Sequence, residues 1–162
     1  MGNKAGKMFI VSVISVIVMV LIIFAFSTQQ GESSVGMSEN IVDFLIEKLG
    51  VQSYIEKNEW IYEHRNVIFR KTLHFMEYAL LATLVYISLR LKKVRLKYIP
   101  VITMLFVFTV AAFDEYYQSH VPGRTPQVKD VFIDSMGAFT ALVVIMLKLK
   151  MSRRVKKLNS IG

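Results

Sequence analysis

The chain has no cysteine among its 162 residues. That absence excludes disulfides, thiolate metal ligands and a cysteine nucleophile. A second absence is positional. None of the 12 acidic residues lies in 4–7, 90–97 or 148–157, three segments that hold 13 of the 20 lysines and arginines. A third is the lack of any charge between Met8 and Phe26.

What remains is apolar and blocky. Hydrophobic residues make up 54% of the chain, more than a soluble domain needs, and they fall in long runs. A net charge of +8 in a soluble protein would raise nucleic-acid binding. Here the charges are sorted along the chain, which favours a membrane and no nucleic-acid partner. About 20 apolar residues cross a bilayer core of about 30 Å. Four blocks meet that length approximately: 8–26, 71–91, 98–117 and 131–149. The first follows Lys4 and Lys7, and Ala25-Phe26-Ser27 loosely resembles a cleavage site. Its apolar run exceeds the roughly 7–15 residues of a signal peptide, so a retained anchor is expected. The expected fold is all-α: one membrane domain over 1–162, built as a four-helix bundle.

Lysine and arginine collect on the cytoplasmic side of membrane proteins. Placing both termini in the cytoplasm puts Arg90, Lys92, Lys93, Arg95 and Lys97 there too, with Lys148, Lys150, Arg153, Arg154, Lys156 and Lys157. The basic loop and tail then act as topology determinants against an anionic inner leaflet, a reading preferred to a nucleic-acid patch.

Residues 27–70 should lie outside. Thr28 to Ser34 reads as a loop, Ser38 as a helix cap and Gly50 as a helix stop, with Ile41, Phe44, Leu45 and Leu49 on the apolar face between. Ser53 and Glu56 have the spacing of a capping box for a second helix carrying Tyr54, Ile55, Trp60, Ile61 and Tyr62. Two short amphipathic helices are expected, either lying in the interface or covering the polar residues described next.

Those residues gather at the outer ends of spans two to four. Lys71, His74 and Tyr78 share one helical face, with Glu77 beside them. Seven residues at about 1.5 Å each carry Glu77 roughly 10 Å from Arg70 along the axis. Asp114 and Gln118 align at the end of the third span, next to Glu115. Ser119 to Pro126 forms a loop containing Arg124. Asp130 and Asp134 open the fourth span one turn apart, with Gly137 further down the same face. A charge at mid-bilayer costs about 2.5–3.5 kcal/mol. Several unpaired would rival the roughly 5–15 kcal/mol that holds a domain together. The groups should therefore face one another, paired, hydrogen-bonded or protonated, with Arg124 a bidentate partner for Asp114 or Asp130.

The cluster admits three roles. It can be a structural ion-pair network. It can hold a divalent ion, for which oxygen-rich ligation favours Mg²⁺, Mn²⁺ or Ca²⁺, though nearby cations compete for the carboxylates. It can bind or process a substrate: His74, Glu77 and Asp114 are the catalytic candidates, and Lys71, His74, Tyr78, Asp114, Glu115, Gln118, Arg124, Asp130 and Asp134 the binding ones. No serine stands beside His74 to make a nucleophile–base pair. Nothing points to an organic cofactor: Tyr86, Tyr98, Tyr116 and Tyr117 fit an aromatic belt, and the nine methionines fit helix surfaces.

The ordered motifs Lys71-x-x-His74-Phe75-x-x-Tyr78, Asp114-Glu115-x-x-Gln118, Pro122-Gly123-Arg124 and Asp130-x-x-x-Asp134-x-x-Gly137 resemble those of the VanZ-like family of bacterial membrane proteins. The resemblance covers about residues 65 to 150. The family usually carries asparagine where this chain has Asp134, so this member holds one more carboxyl to neutralise, by a proton or by a partner such as Arg124 or Lys129. The resemblance implies a bacterial plasma-membrane protein, and its founding member is associated with resistance to the glycopeptide teicoplanin. It supplies a phenotype class and no reaction.

Two functions are consistent with this reading. One is a membrane protein whose outer cluster binds or modifies a lipid-linked wall precursor or a lipoglycopeptide. The other is an intramembrane acid–base or metal-dependent enzyme acting on a lipid-linked substrate. Solute transport is weaker, because the carboxyl groups of the spans and His74 sit at one end and none lies in the cytoplasmic half.

Overall fold

The computed structural model describes residues 2–27, 31–121 and 127–158. It contains six helices: α1 (Gly2–Ser27), α2 (Gly31–Leu49), α3 (Gln52–Glu56), α4 (Glu59–Leu91), α5 (Ile99–Gln118) and α6 (Val128–Leu158). No strand occurs among the described residues. Four of the helices, α1, α4, α5 and α6, are long and apolar enough to cross a membrane. The chain is therefore a multi-pass membrane protein with four candidate spans, as its apolar blocks predict.

Each span buries one stripe and presents the rest outward. In α5 the buried residues are Ile99, Thr103, Val107, Val110, Ala111, Asp114 and Gln118. Their spacing of three and four is one face of a helix. On the other faces, large apolar side chains such as Ile17, Leu21, Leu105 and Phe139 are exposed. In water such a surface would aggregate; in hydrocarbon it is at no disadvantage. Several hydroxyls on the spans bond within their own helix, as Thr83 does to the Ala79 carbonyl at 2.9 Å and Thr109 to that of Leu105 at 2.8 Å.

The main core joins all four spans: Met19 and Ile23 of α1, Tyr78, Leu81, Ala82 and Val85 of α4, Val107 and Ala111 of α5, and Val131 and Ala138 of α6. A smaller cluster of Tyr86, Ile99 and Leu142 lies toward the opposite end, where Lys92 Nζ sits 5.1 Å from the Phe9 ring. The start of α1 and the end of α4 thus meet, and the basic segments share that end.

Helices α4 and α6 come close together at Gly137. A Cβ on Gly137 would strike the carbonyl oxygen of Phe75 and lie 3.0 Å from its carbonyl carbon. Only glycine lets the two backbones come this near.

The segment between α1 and α4 differs in detail from its sequence reading. Helix α2 begins at Gly31, seven residues before Ser38. Gly50 ends it as expected, with φ +64° and its N–H bonded to the Glu47 carbonyl at 3.1 Å. The Ser53–Glu56 capping box does not form. Val51 holds the cap position of α3, and Gln52 Nε2 donates to Glu56 Oε1 at 2.9 Å instead. The helix expected through Tyr62 stops at Glu56. Asn58 accepts from the Ile61 N–H at 3.2 Å and starts a new helix, so Trp60, Ile61 and Tyr62 belong to an extension of span two. Helix α2 docks on that extension through Arg65–Asp43 at 3.5 Å and Asn66 Nδ2 to Glu39 Oε1 at 3.2 Å.

Candidate functional site

The stripes that build the core continue into polar residues at the end of the bundle away from the basic segments. On α4 the buried sequence Val85, Leu81–Ala82, Tyr78 leads one turn on to His74 and then Lys71. On α5 the stripe ends in Asp114 and Gln118. On α6 the stripe of Leu142 and Ala138 leads to Asp134 and Asp130. The polar residues face inward because they occupy core positions, and the Gly137–Phe75 contact holds His74 and Asp134 close, each within a turn of it.

Asp114 and Asp134 are the deepest charges, 1% and 5% exposed. Asp114 Oδ2 accepts from Gln118 Nε2 at 2.9 Å. The same nitrogen reaches Ser27 Oγ on α1 at 3.1 Å. All four spans therefore contribute to the cluster. Tyr78, fully buried, lies against Asp114, with Asp134 and Glu77 also near. His74 Nδ1 is 3.7 Å from Glu77 Oε2, an ion-pair distance when the imidazole is protonated and too long for a hydrogen bond. Lys71 Nζ donates to Asp130 Oδ1, joining α4 to α6 nearer the surface, where the two side chains are 33% and 34% exposed. Glu115 accepts from the Gln127 backbone N–H and ties the end of α5 to the approach to α6.

A cavity of about 30 Å³ opens here, lined by Lys71, His74, Glu115, Gln118, Asp130 and Asp134 among others. That volume admits a water molecule or a small ligand oxygen. Arg70 also lines it. Among the described residues none from α2 or α3 does; α2 sits instead on the extension of α4.

His74, Asp114 and Asp134 stand out within the cluster. One ligand-type atom from each lies within 4.8 Å of the other two. Glu77, beside His74 on α4, is not in that group.

Nine of the ten residues singled out from the sequence fall at this end of the bundle. The tenth, Arg124, lies outside the described residues. Two contributors went unread. Ser27 resembled only part of a cleavage-like triplet, yet it is fully buried against Gln118. Arg70 was a span boundary. A buried hydroxyl closing an apolar block is the one signal that pointed to Ser27.

Four spans with their acidic groups drawn together at one end define a multi-pass membrane protein with a polar intramembrane cluster. The chain belongs to the VanZ/LLP1 family, whose model matches residues 12–149. The match runs from within α1 into α6 and contains every residue of the cluster. Neither the curated proteins nor the solved structures yielded a match.

Proposed function

We propose that the protein acts at the cell envelope of a bacterium, with its polar end facing out of the plasma membrane and both termini in the cytoplasm. On this reading the cluster binds or modifies the head group of a lipid-linked wall component, and thereby lowers access of a glycopeptide such as teicoplanin. Orientation is argued from Lys92, Arg95, Arg153 and their neighbours, which gather at the opposite end. The observation that carries the function is the convergence of all four spans on Asp114 through Ser27, Gln118, Tyr78 and Asp134. A bundle needing only stability has no use for two buried carboxyl groups, one of them lining a cavity, since charge in the membrane is costly. Lys71, His74 and Arg124 offer contacts for anionic groups, and Gln118 and the carboxylates for sugar or peptide donors.

An intramembrane enzyme acting on the same class of substrate is the second reading. It is favoured by His74 and Glu77, 3.7 Å apart beside Asp114, an acid–base pair that a small side-chain rotation would bring within hydrogen-bond reach.

The test is teicoplanin susceptibility, together with surface binding of labelled drug. Cells expressing the protein, cells expressing Asp114→Asn at matched membrane levels and empty-vector cells are compared. Protection by the wild type alone supports the envelope reading. Equal susceptibility and binding in all three overturns it.

A further inference from the structure

We infer that His74, Asp114 and Asp134 form a binding site for one divalent transition-type cation, of the Mn²⁺ or Zn²⁺ class. The inference deepens the head-group reading by supplying the positive centre that an anionic or carbonyl ligand would meet.

Three observations carry it. The first is geometry. Three ligand-type atoms from three different helices lie within 4.8 Å of one another. Ligands at about 2.0–2.2 Å from a metal sit about 3.0–3.5 Å apart in tetrahedral or adjacent octahedral positions. Small side-chain rotations close the difference.

The second is Asp134. It is 5% exposed, its Oδ1 has no hydrogen-bond partner, and no lysine or arginine pairs with it among the described residues. It faces the negative charges of Asp114, Asp130, Glu115 and Glu77. A buried carboxylate oxygen left in this position is strongly unfavourable. A cation between Asp134 and Asp114 removes the repulsion and supplies the missing partner in one step. Lys71 is already engaged by Asp130, nearer the surface.

The third is the support behind the ligands. Gln118 fixes Asp114 and is fixed in turn by Ser27. Glu77 stands beside the His74 ring. Outer contacts of this kind orient metal ligands. One imidazole nitrogen with two carboxylates is a donor set for Mn²⁺ or Zn²⁺, whereas Ca²⁺ takes six to eight oxygens, or about that many. Three protein ligands leave positions open, and two of the three, His74 and Asp134, line the cavity of about 30 Å³. An oxygen of a phosphate or carbonyl group fits there.

The experiment uses the full chain in detergent, stripped with chelator and titrated with Mn²⁺ alone. Free Mn²⁺ is counted by electron paramagnetic resonance, and nitrogen coupling to bound Mn²⁺ by electron spin echo modulation. One saturable Mn²⁺ per chain with a nitrogen coupling is expected. Asp134→Asn should weaken binding by at least about tenfold, the lower bound for disturbing even an outer contact of a metal site. His74→Gln should retain weaker binding and lose the nitrogen coupling. Glu115→Gln removes a neighbouring charge but no ligand from the same cavity and should weaken binding less than Asp134→Asn. Folding of each variant is checked by circular dichroism and gel filtration. No saturable binding, no nitrogen coupling in the wild type, or equal weakening by Asp134→Asn and Glu115→Gln overturns the site. Because no lipid or drug is present, that result is separate from failure of the envelope reading, which the susceptibility comparison decides.

Discussion

Gly137 of α6 packs directly on the backbone of Phe75 in α4, with no room for a Cβ between them. The contact lies one residue from His74 and one turn from Asp134, so helix packing and site geometry are one problem here. Gly137→Ala should force α4 and α6 apart. Overpacking costs about 1–3 kcal/mol in well-packed interiors. The obstacle is backbone, which has little freedom to move, so the upper end is expected. Thermal unfolding in detergent should show a lowered Tm, and Gly137→Leu should lower it further. An unchanged Tm for Gly137→Leu would mean that the two helices are not in contact at this point.

Gln118 holds Asp114 at 2.9 Å and Ser27 at 3.1 Å with one amide nitrogen. The two bonds should differ in worth. Ser27→Ala removes a neutral hydrogen bond, for about 0.5–1.5 kcal/mol. Gln118→Leu takes a donor from a buried carboxylate oxygen, a loss of about 1–3 kcal/mol. Chemical denaturation of the two variants should therefore rank Gln118→Leu as the more destabilised. The double variant should lose less than the sum, because both changes break the same Ser27–Gln118 bond. The reverse ranking, or strict additivity, would contradict the relay.

Lys71 and Asp130 join α4 to α6 at the rim, each about one third exposed. A pair so open to solvent is worth on the order of 1 kcal/mol at most. A cycle of Lys71→Met, Asp130→Asn and the double variant should give a coupling of that size, shrinking as salt is raised. A coupling of several kcal/mol, insensitive to salt, would place the pair in the buried interior.

The spans and most of the cluster were legible because they rest on local periodicity. Lys71, His74 and Tyr78 recur at three and four residues, as do Asp114 and Gln118, and such residues share a face whatever surrounds them. Apolar length identified the four blocks. What stayed hidden depends on contacts remote in sequence. Ser27 and Gln118 are separated by 91 residues, and only packing of α1 against α5 brings them together. The nearness of Asp134 to His74 depends on how closely α6 approaches α4, which Gly137 permits. The region between α1 and α4 failed for a local reason. Ser53 and Asn58 both offer caps, and the cap that wins is Asn58, which bonds Ile61 and lets Glu59 begin a helix running unbroken into span two. That continuity lengthens span two at its polar end and gives α2 a surface to dock on.

The orientation of the bundle can be tested on this chain without background labelling, because it contains no cysteine. Single cysteines are placed at His120, beyond the polar end of α5, and at Lys97, in the basic loop between α4 and α5. Both positions are exposed in the fold. The excess of lysine and arginine near Lys97 opposes its export. In intact cells a membrane-impermeant thiol reagent should therefore label His120→Cys and spare Lys97→Cys. After permeabilisation both should react. Labelling of Lys97→Cys alone in intact cells would invert the protein and turn the polar cavity toward the cytoplasm. Wall precursors and glycopeptides outside the cell would then be beyond its reach, and the substrate would have to be sought among lipids of the inner leaflet.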